Sequence, residues 1–260
     1  MAAPAQETAG FASEIAFIER HWTEKWQGAQ LGASLSRLER RDEFVSMSPY
    51  LRPLSAGARL LDAGCGLGEW TVYFSRKGFD CVGLDISQAT IDRLRSYFPA
   101  ADFRRGDVRE TNEPDSSFDA VFSWGVFEHF EEGPQKCLAE AWRVLKPGGL
   151  LFITVPFDNL RQALISLRQK RHPPDAKLRF YQWRFTKGEL AQELNLAGFE
   201  PLGLRLIHKR QGVLRSLHHE LGLPLESLPV KALAAGLAPF LPGAVFAHML
   251  FAAARKRPRP

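Results

Sequence analysis

Cysteine, methionine and tyrosine are scarce in this chain: three, three and four among 260 residues. Cys65, Cys81 and Cys137 are odd in number, and no two share the C-x-x-C spacing of a zinc site or redox dithiol, so neither a disulfide scaffold nor a metal centre is expected. Long apolar runs are also missing. In Leu225–Ala254, Pro229, Lys231, Pro239, Pro242 and His248 cut every run well below the roughly 20 residues of a spanning helix, so no transmembrane segment is expected. The opening MAAPAQETAG has no basic n-region and no apolar h-region. The resulting expectation is a cytoplasmic location with reduced thiols.

What is present fits a globular chain: 45% hydrophobic and 24% charged residues, without internal repeats. This length accommodates one large α/β domain with a small appended lobe. Lys and Arg outnumber Asp and Glu by 34 to 29, for a net charge of +5. The excess is concentrated in 161–187 and in Arg255-Lys256-Arg257-Pro258-Arg259, pointing to an anionic ligand or a membrane surface beside the plainer reading of a solvated face and tail.

From Ala58 onward, short β-rich runs alternate with helix-length amphipathic stretches, the pattern of a doubly wound parallel sheet. Strands are predicted at 59–63, 80–85, 102–105, 118–124 and 150–155, with helices at 69–77, 87–98 and 134–145 between them. Ser87 is placed to cap the second of these helices, and Lys146-Pro147-Gly148-Gly149 to stop the third. Upstream, Phe11, Ile15, Ile18, Trp22 and Trp26 recur at helical spacing, and 35–47 reads as a second helical segment. Downstream, 186–197 reads as a helix, 199–207 as a strand and 245–254 as a last, antiparallel strand. The expected organisation is an N-terminal helical cap (1–50), a Rossmann-like core (51–156), a basic and aromatic lid insert (157–185), and a C-terminal part (186–260) with an apolar helical insert at 211–244.

The segment Asp62-Ala63-Gly64-Cys65-Gly66-Leu67-Gly68-Glu69 is the most informative. A buried strand enters three glycines at alternate positions and then a helix, so backbone can approach a ligand closely and a helix N-terminus faces it. A dinucleotide fingerprint needs a glycine three positions after the second. Glu69 stands there, and with Asp62 it would repel a pyrophosphate and welcome an ammonium group.

Asp62-x-Gly64-x-Gly66-x-Gly68 resembles the first motif of the class I S-adenosylmethionine-dependent methyltransferases. The likeness continues in order through Val82-Gly83-Leu84-Asp85-Ile86, Arg105-Gly106-Asp107-Val108, 118–129 and Arg143–Leu151, covering about residues 58–156. It implies S-adenosylmethionine as cofactor and S-adenosylhomocysteine as product. By the same resemblance, Asp85 takes the ribose hydroxyls, with Ile86 beside it. Asp107 faces the adenine amine and Val108 packs on the ring. Gly64, Cys65, Gly66 and Gly68 supply the turn, Cys65 through its backbone. Trp124, at the end of the fourth predicted strand, is expected against the cofactor.

His129 follows that strand at the carboxyl edge where open α/β sheets bind ligands, and its imidazole suits it to act as a general base; a purely positioning role stays open beside this. The acceptor is expected to be a small molecule, since the resemblance runs to the branch that includes quinone and natural-product methyltransferases. The insert places Arg161, Arg168, Lys170, Arg171, Lys177, Arg179 and Arg184 among Phe180, Tyr181, Trp183 and Phe185. That composition suits an acidic, aromatic or lipid-linked acceptor. Peripheral membrane contact stays open beside core packing for the apolar insert. Nucleic acid is not the expected partner, because Ser123-Trp124-Gly125-Val126 stands where base-amine methyltransferases carry an Asn/Asp-Pro-Pro-Tyr/Phe tetrapeptide. A catalytically silent binding module and an NAD-dependent oxidoreductase are the competing readings.

Overall fold

The computed structural model describes residues 5–161 and 182–258. Helix α1 (Ala5–Gln27), a 3-10 turn (Leu35–Arg40) and α2 (Asp42–Leu51) precede the sheet. β1 (Arg59–Ala63), α3 (Glu69–Arg76), β2 (Asp80–Asp85), α4 (Gln88–Tyr97), β3 (Asp102–Arg105), β4 (Phe118–Trp124), α5 (Gln135–Val144) and β5 (Leu145–Pro156) then alternate. α6 (Lys187–Leu196), β6 (Phe199–Ile207), α7 (Lys209–Leu221), α8 (Leu228–Leu237), α9 (Gly243–Phe246) and β7 (Met249–Lys256) complete the chain.

The seven strands lie in the order β3-β2-β1-β4-β5-β7-β6. β1 to β5 pair in parallel, whereas β7 runs antiparallel between β5 and β6. Because the chain leaves β1 in one direction and returns to β4 on the other side, a crevice opens at the carboxyl ends of β1 and β4.

Side-chain alternation along the strands builds a core on each face. Leu60, Phe122, Phe152 and Phe251 point to one side, where they meet Leu38, Met47, Trp70 and Phe74. Leu61, Val121, Ile153 and Ala252 point to the other, against Leu138, Val144, Leu190 and Leu194. Each such fully buried large side chain contributes about 1.5–3 kcal/mol. Local signals agree with the packing. Ser87 Oγ accepts from the Thr90 N–H to start α4, and Thr186 with Glu189 forms a capping box on α6.

Three segments differ from expectation. The stretch 35–47 is not one helix but a 3-10 turn and α2, broken at Arg41, whose extended backbone turns its guanidinium to Glu69 Oε2 at 2.7 Å. β5 begins at Leu145, not 150, since Leu145 pairs with Phe118 before a bulge absorbs the glycines. The last strand begins at Met249 because Pro242 starts the short helix α9, packed against α7. The basic tail is partly structural: Lys256 is 4% exposed and donates to the Leu145 carbonyl, and Arg257 donates to Asn195. Of the expected lid, Arg168, Lys170, Arg171, Lys177, Arg179, Phe180 and Tyr181 lie outside the described residues. The two ends of the insert are joined by a Phe157–Phe185 bridge. Among the described residues no helix is long and apolar enough to cross a membrane. The three thiols are free and buried.

At Gly68, φ is +69°, and a Cβ there would lie 2.7 Å from Phe103 and 2.8 Å from Leu94. Gly68→Ala should therefore destabilise the fold by about 2–4 kcal/mol, from overpacking and left-handed strain together. Urea unfolding checks this, and an unchanged midpoint would contradict the packing described.

Candidate active site

A cavity of about 430 Å³ occupies the crevice, floored by the turn after β1 and roofed by α1. Gly64, Gly66, Asp85, Ile86, Asp107, Val108, Trp124 and His129 all line it. Asp62, Cys65 and Gly68 do not. The turn has the tight course its glycines allow. Gly64 and Gly66 have φ of +86° and +49°, and a Cβ on Gly64 would meet Val126 Cγ2 at 2.5 Å. The Gly64 and Cys65 N–H groups both donate to the Leu84 carbonyl, 2.8 Å away.

Asp85 ends β2 with its carboxylate fixed at both oxygens: Oδ2 accepts from the Gly66 N–H and Oδ1 from the Ser87 N–H, each at 3.0 Å. Burial pushes its pKa up, opposed by these bonds. Asp62 lies behind the turn, where Oδ2 accepts from Thr71 Oγ1 at 2.8 Å, and burial raises its pKa to about 7. Glu69 is also turned away from the cavity, accepting from the Ser34 N–H and from Arg41. Its charge holds the N-terminal segment and does not face a ligand. Cys65 packs with Leu31, Val72, Ile91, Leu94 and Phe103, and burial pushes its thiol well up.

Asp107 pairs with Arg109, Oδ2 accepting from Nη2 at 2.8 Å. Arg109 in turn binds Glu14 and lies 4.2 Å from the centre of the Phe130 ring, a buried network that no local motif announces. α1 is tied down by Thr23 Oγ1 with Ser87 Oγ at 2.6 Å and by Arg93, which donates to the carbonyls of Trp26 and Ala29. As a result Trp22 and Trp26 face the cavity, and the Trp26 ring lies 3.3 Å from the position a Gly66 Cβ would occupy.

His129 stands edge-on to Trp22 at 5.1 Å, with Nε2 3.9 Å from Glu128 Oε1. Glu128 is 2% exposed, its Oε2 has no hydrogen-bond partner among the described residues, and burial raises its pKa to about 8. Trp124 stacks on Phe122, and its buried Nε1 is also unpartnered among the described residues.

Sequence reasoning missed the far wall. Glu43, His208, Gln211, His248 and Met249 come from α2, the β6–α7 junction and the start of β7, so only the sheet order brings them together. His208 Nε2 lies 3.1 Å from Glu43 Oε1. Burial pushes Glu43 up and His208 down, but their attraction wins, leaving the acid below and the imidazole above their usual ranges. Burial, Arg215, Arg184 and His208 lower His248 to about 4, so it is neutral near pH 7.

Residues 61–153 match the methyltransferase domain family. A probable S-adenosylmethionine-dependent methyltransferase of Mycolicibacterium smegmatis is 32% identical over 145 residues, 56% of this chain and 53% of that protein. The malonyl-[acyl-carrier protein] O-methyltransferase of Serratia marcescens is 34% identical over 41% of this chain and 42% of its own. This chain thus spans about half the length, or less, of these curated relatives. Among solved structures, the 1,6-didemethyltoxoflavin-N1-methyltransferase of Burkholderia thailandensis, with S-adenosylhomocysteine bound, superposes with a TM-score of 0.58 at 20% identity, covering 99% of this chain and 92% of that one. Residues 61–153 thus carry a methyltransferase domain, similar in sequence to those of S-adenosylmethionine-dependent methyltransferases.

Glu128 supplies a pH test. Its folded pKa lies above the usual 4.5, so the folded state holds a proton that the unfolded state releases, and stability falls as pH rises from about 4.5 to about 8. Glu128→Gln should flatten that decline and raise the thermal midpoint at pH 8 above that of the parent. Parallel pH profiles for the two proteins would contradict the buried neutral carboxyl.

Proposed function

We propose that the protein transfers the methyl group of S-adenosylmethionine to a small-molecule acceptor, both held in the 430 Å³ cavity. The observation that carries this reading is the placement of Asp85, at the tip of β2, beside a glycine turn without side chains, in one cavity with His129 and a separate polar wall. The donor supplies a methyl group on a cationic sulfur. The residues present suit it. Asp85 has lone pairs left for two ribose hydroxyls, since its carboxylate offers about four acceptor sites and spends one on each backbone N–H. Ile86 and Val108 offer apolar surface for the base, with Asp107 at its edge. Asp62 and Cys65 support the turn from behind.

Methyl transfer is an in-line displacement that consumes positive charge, so the protein's chief tasks are alignment and exclusion of water. α1 acts as the cover: Trp22 and Trp26 close the side opposite the sheet, and aromatic faces attract a sulfonium. Trp124 and Gly125 position the acceptor at the end of β4. Where the acceptor is a hydroxyl, the His129 imidazole takes its proton as methyl arrives.

Asp85→Ala should weaken S-adenosylhomocysteine binding by about 30-fold or more, on the order of 2 kcal/mol for lost charged hydrogen bonds, and loosen the turn it holds without unfolding the sheet. Calorimetric titration checks this, and unchanged affinity would remove the ribose from Asp85. His129→Ala should lower kcat about 100-fold or more at saturating acceptor with little effect on donor affinity. An unchanged kcat would take the imidazole out of the proton transfer.

A further inference from the structure

Behind the far wall of the main cavity lies a second cavity of about 90 Å³, the size of one small charged group and far too small for a nucleoside. His248 lines both. Arg161, Arg184, Arg215 and His219 also surround the smaller one. Arg161 is neutralised by Glu220, with contacts of 2.7 and 3.1 Å. Arg184 and Arg215 have no ion pair among the described residues, and of the described acids Asp158 lies near enough to favour the charge on Arg184. Arg215 is near enough to disfavour the charge on Arg184, on His248 and on Lys25, and Lys25 lines the main cavity.

The frame around this cavity is closely packed on two sides. A Cβ on Gly212 would run into the Phe246 carbonyl, so α7 sits directly against the segment leading to His248. Asn159 Nδ2 donates to the Ala247 carbonyl at 3.0 Å and fixes the opposite side. Cations gathered around a preformed recess, Arg184 half-buried and Arg215 exposed at its rim, with little acid among the described residues to offset them, are complementary to an oxyanion.

We infer that this recess is the subsite for an anionic group of the methyl acceptor, a single phosphate or carboxylate held between Arg184 and Arg215, with the rest of the acceptor passing His248 into the main cavity. This rests on the methyl-transfer reading for the identity of the ligand, not for the existence of the anion site. The acceptor would thus be a compound with a terminal anionic group, anchored one side-chain layer away from the transferred methyl.

Calorimetric titration of the full chain with inorganic phosphate and with acetate, at fixed ionic strength, tests this directly. At least one anion should bind saturably, and Arg184→Gln and Arg215→Gln should each weaken it by about tenfold or more while Arg215→Lys weakens it less. S-adenosylhomocysteine affinity, titrated separately, should be unchanged in all three variants. Preference for phosphate assigns a phosphorylated acceptor, and preference for acetate a carboxylated one. Absence of saturable binding by either anion, or variants that bind as tightly as the parent, would overturn the subsite. A chain that binds the anion but never S-adenosylhomocysteine would uphold the subsite and overturn the methyl-transfer reading instead.

Discussion

The buried carboxylate of Asp85 holds the site together. Its two oxygens accept backbone N–H groups from Gly66 and Ser87, so one side chain ties the turn after β1 to the start of α4. Ser87 also caps α4 and meets Thr23 of α1, which brings the N-terminal helix into the same connected set. A buried acid with no cation paired to it among the described residues would be costly if these N–H groups were lost. The turn, the mouth of the sheet and its cover are therefore fixed relative to one another by a group that still has lone pairs facing the cavity.

Charge is distributed unevenly along the cavity, and the distribution suits the proposed reaction. Asp85 and Asp107 line the cavity at the ends of β2 and β3, and Asp107 pairs with Arg109. His208 lines the opposite wall, paired with Glu43, and Arg184 and Arg215 stand behind that wall around the smaller recess. A cationic donor and an anionic acceptor would each lie against charge of opposite sign, with Trp124 and Gly125 between them. Those positions favour the orientation in which a methyl group moves from the cation toward the anion, and the fixed dipoles need not reorganise as charge is consumed.

Much of the core was legible because apolar runs with glycine or proline at their borders specify buried parallel strands. β1 to β4 begin and end where the pattern put them. Gly64, Gly66, Asp85, Ile86, Asp107, Val108, Trp124 and His129 sit at strand ends within one continuous βαβ series, so a linear reading could place them on one edge. Asp62 and Glu69 show the limit of the linear pattern: it points both charges at a ligand, yet Thr71 and Arg41 turn them inward. The break at Arg41 was hidden because its cause, Glu69, lies 28 residues away. The far wall was hidden for the same reason. His208 and His248 flank β6 and β7 but meet only because β7 inserts between β5 and β6.

A structure of this chain with S-adenosylhomocysteine bound tests the central claim most directly. The account predicts both ribose hydroxyls on the Asp85 carboxylate, the sulfur above the turn from Gly64 to Gly66, and the Trp26 ring moved from its present place on Gly66 to lie against the nucleoside. A nucleoside bound away from Asp85, or a turn that leaves Gly66 when the ligand enters, would contradict it.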